Sequence, residues 1–283
     1  MIERDVFDAL RTRAKDFRYS SFEYLEYEHA AAYTLLEDSK ELILLPGKKE
    51  AAGVDEAQWA ADEPDRLLRR IRDRGRETLV PFVPEPWKEL FLQSGFSEFG
   101  ILREYWISPL KADWRPQFLC APIRPDECGE AAAITRACRL QSREFYGETA
   151  GSLTAWMTGN DPDAAAGGAK YETVLACREN GGIVGIICTA VYGFDGERGP
   201  VAWVREVAVL PAYQGRGYGR ALIESALRYG AERGARNAFL MADDCNRSAI
   251  ALYTKIGFEP NMDEAQIDLI YSPDGAQGKA GQA

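Results

Sequence analysis

The chain has 283 residues and a formal net charge of −10, which argues against non-specific nucleic-acid binding. It has no run of the roughly 18 apolar residues that a membrane helix needs, and its charged amino-terminal segment lacks the apolar centre of a signal peptide. Six cysteines without a C-x-x-C pair and a single histidine predict no metal site. We therefore expect a cytoplasmic protein in which several cysteines serve as small hydrophobic side chains.

The first half of the chain predicts alternating helices and strands. Helices are expected over Arg4–Arg18 and Glu63–Arg74, with a hairpin in residues 30–47 between them. A strand (ETLVPFV), a helix (PWKELFLQSGF) and a strand (GILREYWI) follow. The next segment, SPLKADWRP, is typical of an interdomain linker, so we expect a first domain over residues 1–112.

The second half predicts a strand and then a helix from about Glu127 to Leu140. Two apolar, β-branched runs joined by Asn180-Gly181-Gly182 predict a hairpin. A strand (VAWVREVAVL), a helix ending near Gly234, a strand (RNAFLMADD), a helix (NRSAIALYTKIGF) and a strand (AQIDLIY) follow. These elements predict a second domain over residues 117–271, followed by a small-residue tail, 272–283, that we expect to be disordered.

The two halves show an internal similarity that indicates duplication. WKELFLQSGF (Trp87–Phe96) aligns without gaps on AIALYTKIGF (Ala249–Phe258), and in both places a strand precedes the helix and another strand follows it. The first half has Phe91 where the second half has Tyr253, and it has no counterpart of the glycine-rich stretch QGRGYG.

That glycine-rich stretch joins a strand to a helix. The first residues of a helix carry unpaired backbone N–H groups and a partial positive charge, and glycine lets a backbone approach an anion closely. Arg216 and Arg220 add positive charge, so the segment predicts a phosphate site. It is not a P-loop, and Gly215, Gly217 and Gly219 are spaced by two, which excludes the G-x-G-x-x-G dinucleotide pattern.

The segment VAVLPAYQGRGYG resembles the [QR]-x-x-G-x-[GA] signature of the GNAT superfamily of N-acetyltransferases, with Gln214, Gly217 and Gly219 at its named positions. Downstream, NRSAIALYTKIGF is similar to that superfamily's N-x-x-[AS]-x-x-x-Y-x-x-x-G-F segment. Its positions are filled by Asn246, Ala249, Tyr253, Gly257 and Phe258. Both motifs have the expected order and spacing, and the resemblance covers about Phe118 to Tyr271.

The resemblance implies the acyl-CoA N-acyltransferase fold, an α/β fold with a mixed, mostly antiparallel sheet flanked by helices, here in two tandem copies. In that fold two central parallel strands separate to admit acetyl-CoA, the implied co-substrate, without a metal. The residues implied to bind it are the strand edge Val207, Ala208 and Val209, the loop Gln214, Gly215, Arg216, Gly217, Tyr218, Gly219 and Arg220, and Asn246. The first half, which lacks the loop, is then a degenerate copy that binds no CoA.

The resemblance also implies catalytic roles. Tyr253 would protonate the CoA thiolate, although a core tyrosine on an apolar helix face is the alternative. Glu206 would be the general base, and strand alternation places it on the opposite face from Val207 and Val209, although an ion-paired strand carboxylate is an equal alternative. The backbone N–H of Val209 would polarise the acetyl oxygen.

The acceptor is expected to be a primary amine on a small molecule or peptide, bound by the segment Leu140–Asp163. This segment offers aromatic and apolar walls and two possible ammonium partners. The walls are Phe145, Tyr146, Trp156 and Met157, and the carboxylates are Glu144 and Glu148. Core positions for the aromatics and solvated glutamates are the alternatives.

Cys245 lies near the site, but no histidine could activate it, which favours direct transfer in a ternary complex over a covalent cysteine intermediate. Use of another acyl-CoA, or a CoA-binding regulatory module without catalysis, remains open. The sequence names no acceptor and leaves the oligomeric state open, a homodimer included.

Overall fold

The computed structural model of the protein describes residues 2–31, 33–49, 53–143, 145–196 and 199–273. The predicted disordered tail, 272–283, lies outside the described residues except for its first two positions, and Glu144 lies outside them as well.

Helices and strands alternate along the whole described chain. The helices are α1 Arg4–Ala14, α2 Tyr27–Ala30, α3 Pro64–Asp73, α4 Glu85–Gln93, α5 Cys128–Ala137, α6 Ala150–Met157, α7 Pro162–Ala166, α8 Tyr218–Glu232 and α9 Arg247–Ile256. The strands are β1 Tyr19–Ser20, β2 Glu37–Asp38, β3 Leu42–Lys49, β4 Val54–Ala61, β5 Thr78–Val80, β6 Phe96–Ile107, β7 Cys120–Pro122, β8 Tyr171–Glu179, β9 Gly182–Tyr192, β10 Val201–Val209, β11 Asn237–Asp243 and β12 Glu259–Tyr271.

Strand pairing confirms the predicted class, a mixed and mostly antiparallel sheet flanked by helices. The pairs β4–β5 and β10–β11 are parallel, whereas β3–β4, β8–β9 and β9–β10 are antiparallel. The hairpin between β8 and β9 turns at Asn180 and Gly181, both with positive φ (52° and 87°), as the Asn-Gly signal predicts. One strand, β4, was not predicted, because its residues carry no clear alternation.

The chain divides into two compact units, Met1–Ile101 with Ala265–Ala283 (unit 1) and Leu102–Glu264 (unit 2). The predicted domain boundaries, 1–112 and 117–271, differ from this division because two strands exchange places. The Leu102–Ile107 part of β6 pairs antiparallel with β11 in unit 2, and the end of β12 pairs antiparallel with β5 in unit 1. No local sequence pattern reports such long-range pairing.

Each unit repeats the same order of elements, in agreement with the internal similarity of the sequence. Unit 1 runs β3-β4-α3-β5-α4 and unit 2 runs β9-β10-α8-β11-α9, each with an antiparallel pair followed by a parallel pair across a helix. In unit 2 the sheet has a core on both faces. Residues of α8 and α9 pack on one face, and residues of α5 and α6 pack on the other.

One pair of cysteines departs from the expectation of separate free thiols. Cys120 of β7 and Cys177 of β8 form a disulfide between directly opposite residues, with Cα atoms 4.6 Å apart. Their separation of 57 residues gives no local sign of this pairing, which follows only from the strand register. Cys128, Cys138 and Cys188 are free and buried, as small hydrophobic residues are.

Candidate active site

The parallel strands β10 and β11 pair only where they begin. Val201–Trp203 faces Asn237–Phe239, and beyond these residues both described strands continue without pairing to each other. The backbone edge of β10 is therefore free over its last six residues, from Val204 to Val209. The two strands thus form an open gap at their carboxyl ends.

A cavity of about 320 Å³ lies in this gap. Its walls come from β10, β11, α9 and the segment that follows α5, and they include Glu206, Tyr253 and Asn246. A larger cavity of about 1000 Å³ lies near Asn237 and Gly257, at the beginning of β11, and includes neither Glu206 nor Tyr253. The smaller cavity is therefore the one that brings the predicted catalytic residues together.

A β-bulge in β10 sets the direction of Glu206. The register against β9 shifts between Val204 and Glu206, so Arg205 is the extra residue. Val204 and Val207 both pack on the α8 and α9 side, whereas Glu206 is paired with Cys188, which belongs to the core on the α5 and α6 side. Glu206 thus lies on the opposite face from Val207, the arrangement that strand alternation predicts.

The environment of Glu206 favours its protonated form near neutral pH. Burial raises the pKa of this carboxyl most, the neighbouring Glu148 raises it further and Arg205 lowers it, with a net pKa of about 8. Glu148 itself pairs with Arg205 at 3.7 Å and accepts a hydrogen bond of 2.5 Å from Ser152 Oγ. A carboxylate with such a pKa is a suitable general base just above neutrality.

Tyr253 lines the same cavity and is only 7% exposed. Its ring packs near Tyr105 and Phe258, with centroids 6.3 and 6.1 Å away. Its hydroxyl has no hydrogen-bond partner within the described part of the chain. Burial first, and then Glu206 and Tyr105, raise the pKa of the phenol above its ordinary value, so Tyr253 carries its proton at neutral pH.

The end of β10 is held in place by side chains that bind its carbonyl groups. Gln214 Nε2 donates to the Val209 carbonyl oxygen at 2.9 Å, and Cys138 Sγ donates to the same oxygen at 3.2 Å. The Leu210 N–H donates to Val184 O of β9. Since neighbouring residues of a strand point their N–H groups to opposite sides, the Val209 N–H faces away from β9, into the gap.

The glycine-rich loop presents free backbone N–H groups at the start of α8. Gly215 and Gly217 have positive φ values of 74° and 92°, which only glycine adopts readily. Among the described residues, no acceptor receives the N–H groups of residues 215–220. Gly219 has another role, because a Cβ there would approach Leu252 Cδ2 to 3.2 Å, so it permits α8 to pack closely on α9.

The side chains of the loop are mostly engaged with the protein. Tyr218 is buried, stacks on Phe118 with centroids 4.5 Å apart, and donates its hydroxyl to Glu179. Arg216 lies over the ring of Tyr213, and Arg220 Nε pairs with Glu224 at 2.7 Å. At these positions the backbone, rather than the side chains, faces any bound anion.

Asn246 is placed by a capping role. Its Oδ1 accepts from the Ala249 N–H at 3.3 Å, so it caps the amino terminus of α9, and it also lines the cavity.

The predicted acceptor walls divide between cavity and core. Phe145 lines the cavity, whereas Trp156 is fully buried and donates from Nε1 to Thr173 O at 3.1 Å. Met157 packs in the same core as Trp156, and Tyr146 is exposed. Trp156 is therefore a core residue rather than a wall.

Sequence reasoning missed two arginines around the site. Arg143, in the segment after α5, makes a two-pronged ion pair with the buried Asp243 at the end of β11. Arg205, the bulge residue, bonds Asp161 Oδ2 at 3.0 Å and lies over the ring of Trp156. Neither pairing follows a local spacing rule, because the partners lie 100 and 44 residues apart.

Residues 134–258 match the model of the Acetyltransferase (GNAT) family. The chain is 42% identical over 244 residues to a mycothiol acetyltransferase from Amycolatopsis mediterranei, which is 79% of this chain and 68% of that protein. The chain belongs to the GNAT acetyltransferase family. It spans only a quarter of the length of a second mycothiol acetyltransferase, from Nocardia farcinica, at 40% identity over 80 residues, or 28% of this chain.

Solved structures share the GNAT fold at low sequence identity. A GCN5-related N-acetyltransferase from Sphaerobacter thermophilus superposes with a TM-score of 0.54 at 14% identity, over 83% of this chain and 81% of that chain. A tandem GNAT protein from the clavulanic acid biosynthesis pathway superposes with a TM-score of 0.51 at 16% identity, over 87% and 82% of the two chains.

Two further searches concern the described residues of this GNAT protein. No helix among them is long and apolar enough to cross a membrane. No group of three or more His, Cys, Asp or Glu side chains in the same residues could hold a metal ion.

Proposed function

We propose that this GNAT protein transfers the acetyl group of acetyl-CoA directly to a primary amine of a small molecule or peptide. The observation that carries the proposal is the gap between β10 and β11, where Glu206 and Tyr253 line one cavity. A carboxylate that accepts a proton near neutral pH and a phenol that keeps its proton are the two groups that amide formation from an amine and a thioester requires.

The residues at this gap fit acetyl-CoA. The N–H groups of residues 215–220 have no protein acceptor and converge at a helix amino terminus, a suitable site for a pyrophosphate. The unpaired edge of β10 at Val207 and Val209 can pair with the amide groups of a pantetheine arm, as an added strand would. Ala208, between them, points its side chain into the α5 and α6 core.

The side chains of the chain then divide the proton transfers. Bound acetyl-CoA supplies an activated thioester. Glu206 takes a proton from the acceptor amine, whose nitrogen forms a bond to the acetyl carbon. The Val209 N–H stabilises the negative charge that develops on the acetyl oxygen. Tyr253 gives its phenolic proton to the sulfur as the carbon–sulfur bond breaks, which leaves an N-acetyl product and free CoA.

The nearby thiols support transfer without a covalent enzyme intermediate. The pKa of Cys245 is raised by burial and by its hydrogen bond to Asp243. The pKa of Cys138 is raised chiefly by burial, and its proton is donated to Val209 O. Both thiols are therefore protonated at neutral pH, and the thiolate rather than the thiol is the nucleophile.

Unit 1 is proposed as a degenerate copy that binds no CoA. Its parallel strands β4 and β5 pair through Asp55–Thr78 and Glu56–Leu79 and then separate. Trp59, further along β4, is fully buried and donates from Nε1 to Pro81 O, just after β5, at 2.9 Å. Its indole occupies the space that in unit 2 remains open. Phe91, at the position equivalent to Tyr253, is fully buried as well.

Thermal unfolding with acetyl-CoA, free CoA, ATP or NAD is the first test. A ligand at about a hundred times its dissociation constant adds about 2.7 kcal/mol of stability, which is a shift of several degrees for a domain of this size. We expect a shift with both CoA species and none with ATP or NAD. No shift with either CoA species at saturation would reject the proposed site.

An acceptor screen follows, with release of free CoA as the readout. The name of the relative from Amycolatopsis mediterranei makes mycothiol that lacks its acetyl group one acceptor to include beside polyamines and peptides. Acetyl-CoA binding without CoA release for any amine would favour a CoA-binding regulatory module.

A further inference from the structure

Four side chains of β11 and β6 form a strip on one face of the unit 2 sheet. Phe239 and Met241 share a face of β11, and antiparallel pairing places them directly opposite Trp106 and Glu104 of β6. The rings of Phe239 and Trp106 lie 4.9 Å apart, and Met241 is 41% exposed. We call these four residues the β11–β6 strip.

The strip continues from the active-site cavity. Trp203 of β10 is in register with Phe239 and packs on the α5 and α6 side, the side to which Glu206 also points. Met241 is itself part of the cavity wall that includes Glu206. A molecule whose amine reaches Glu206 can therefore extend across Met241 onto β6 without changing the face of the sheet.

Glu104 supplies a polar end to this otherwise apolar strip. Trp106 Nε1 donates to Glu104 Oε2 at 3.0 Å, and no cationic side chain pairs with Glu104 in the described ranges of the chain. A partly buried carboxylate without a counter-charge is costly unless a donor binds it, and hydrogen bonds to a charged acceptor are among the strong ones. Its free Oε1 is thus suited to a donor on a ligand.

We propose that the β11–β6 strip binds the part of the acceptor that is remote from the reacting amine. Phe239 and Met241 support a flat or apolar body, and Glu104 accepts a hydrogen bond from a hydroxyl or an ammonium group. This inference rests on the proposed acetyl transfer. Glu206 and Glu104 stand on β10 and β6, two strand spacings apart, so the donor lies about 10 Å or somewhat more from the amine because β10 and β11 diverge.

Three amines that share one ring and one arm test this inference. 2-Phenylethylamine has no remote donor, tyramine has a hydroxyl, and 4-(aminomethyl)phenethylamine has an ammonium group. We expect the wild type to acetylate at least one donor-bearing amine with a kcat/KM about tenfold or more above that of 2-phenylethylamine. Glu104→Gln should abolish that advantage through KM, leave kcat nearly unchanged, and leave 2-phenylethylamine unaffected.

Two comparisons identify the kind of donor and the control. An ammonium donor would lose more affinity than a hydroxyl in Glu104→Gln, and its wild-type KM would rise with salt. Glu232→Gln, at an exposed position of α8, should alter none of these values. Glu104→Gln keeps an oxygen for Trp106, so we expect its unfolding temperature to match that of the wild type.

The failures of the two proposals are distinguishable. If the wild type binds acetyl-CoA but acetylates the three amines with equal kcat/KM, acetylates none of them, or keeps the advantage of the donors after Glu104→Gln, the role of the strip is rejected. If it binds no acetyl-CoA, the proposed function itself is rejected.

Discussion

Arg143 and Asp243 join the segment after α5 to the end of β11 through a two-pronged ion pair. Arg143 Nη2 lies 2.7 Å from Asp243 Oδ1 and Nε lies 3.0 Å from Oδ2, and the Arg143 N–H donates to the same carboxylate. Asp243 is fully buried, whereas the arginine side chain is partly exposed. The pair therefore fixes one wall of the cavity against the strand end that forms another.

Loss of this carboxylate should destabilise unit 2. Burial alone would raise the pKa of Asp243, but hydrogen bonds from Arg143 and Cys245 outweigh it and hold that pKa below its ordinary value. The pair thus contributes stability above the unfolded pKa of about 3.9, and this stability is lost as pH falls through the lower folded pKa. We expect Asp243→Asn to lower the free energy of unfolding by roughly 1–3 kcal/mol between pH 5 and 7.

Urea unfolding at several pH values measures this effect. The difference from wild type should stay constant from pH 7 to pH 5 and narrow below about pH 4. Asp126→Asn is the control, because Asp126 pairs with Arg124 on the surface with both side chains largely exposed, and we expect no measurable change there. A constant difference down to acid pH would contradict the ionic role of Asp243.

The parts of the site that depend on local sequence were predictable. The strand-to-helix loop with Gly215 and Gly217 and the turn at Asn180 and Gly181 follow from backbone conformations that favour glycine or asparagine. The motif around Tyr253 fixed the helix that carries it. The fold class and the GNAT family were accordingly within reach of the sequence.

The rest depends on long-range pairing that no local pattern reports. The exchange of β6 and β12 between the units, the Cys120–Cys177 disulfide and the Arg143–Asp243 pair join residues far apart in the chain. The bulge at Arg205 leaves no turn residue as a signal, although it decides where Glu206 points. Trp156 was misjudged because aromatic residues serve cores and pockets equally well.

Glu206→Gln should remove the acid limb of the pH–rate profile. A base whose pKa is raised to about 8 is ionised only above that pH, so the wild-type kcat/KM should fall about tenfold for each pH unit below it. The amide cannot accept the proton, and we expect kcat/KM at pH 8.5 to fall by a factor of roughly 100 to 10,000.

The comparison of pH profiles separates Glu206 from the acceptor. A limb that belongs to the amine of the acceptor would persist in Glu206→Gln, whereas a limb from Glu206 disappears. Glu232→Gln, at an exposed position of α8, should keep the wild-type profile. An unchanged limb and an unchanged rate in Glu206→Gln would reject its assignment as the base.

Tyr253→Phe should lower kcat and spare acetyl-CoA binding. The hydroxyl has no hydrogen-bond partner in the described part of the chain, so its removal breaks no protein contact and should leave the unfolding temperature near that of the wild type. Loss of the acid should reduce kcat by roughly 100-fold or more. Tyr171→Phe, at an exposed tyrosine, is the control. Unchanged acyl transfer in Tyr253→Phe would show that the phenol is not the acid.

Gly215→Ala tests the loop as an anion site. The residue has a φ of +74° and a Cβ there would meet no atom within 4 Å, so alanine costs backbone strain of about 1 kcal/mol without a clash. Its methyl group would project from the loop whose N–H groups are proposed to hold the pyrophosphate, and we expect acetyl-CoA to bind at least tenfold more weakly.

Gly234→Ala is a closely matched control for this change. Gly234 has a φ of +87° and the same open surroundings, but it follows the other end of α8, away from the loop. Both variants should lose similar stability in urea unfolding, since both force alanine into the left-handed region. Only Gly215→Ala should weaken acetyl-CoA in titration calorimetry, because only that methyl group lies at the proposed site. Equal acetyl-CoA affinities in the two variants would mean that QGRGYG acts as a turn and not as the site of the pyrophosphate.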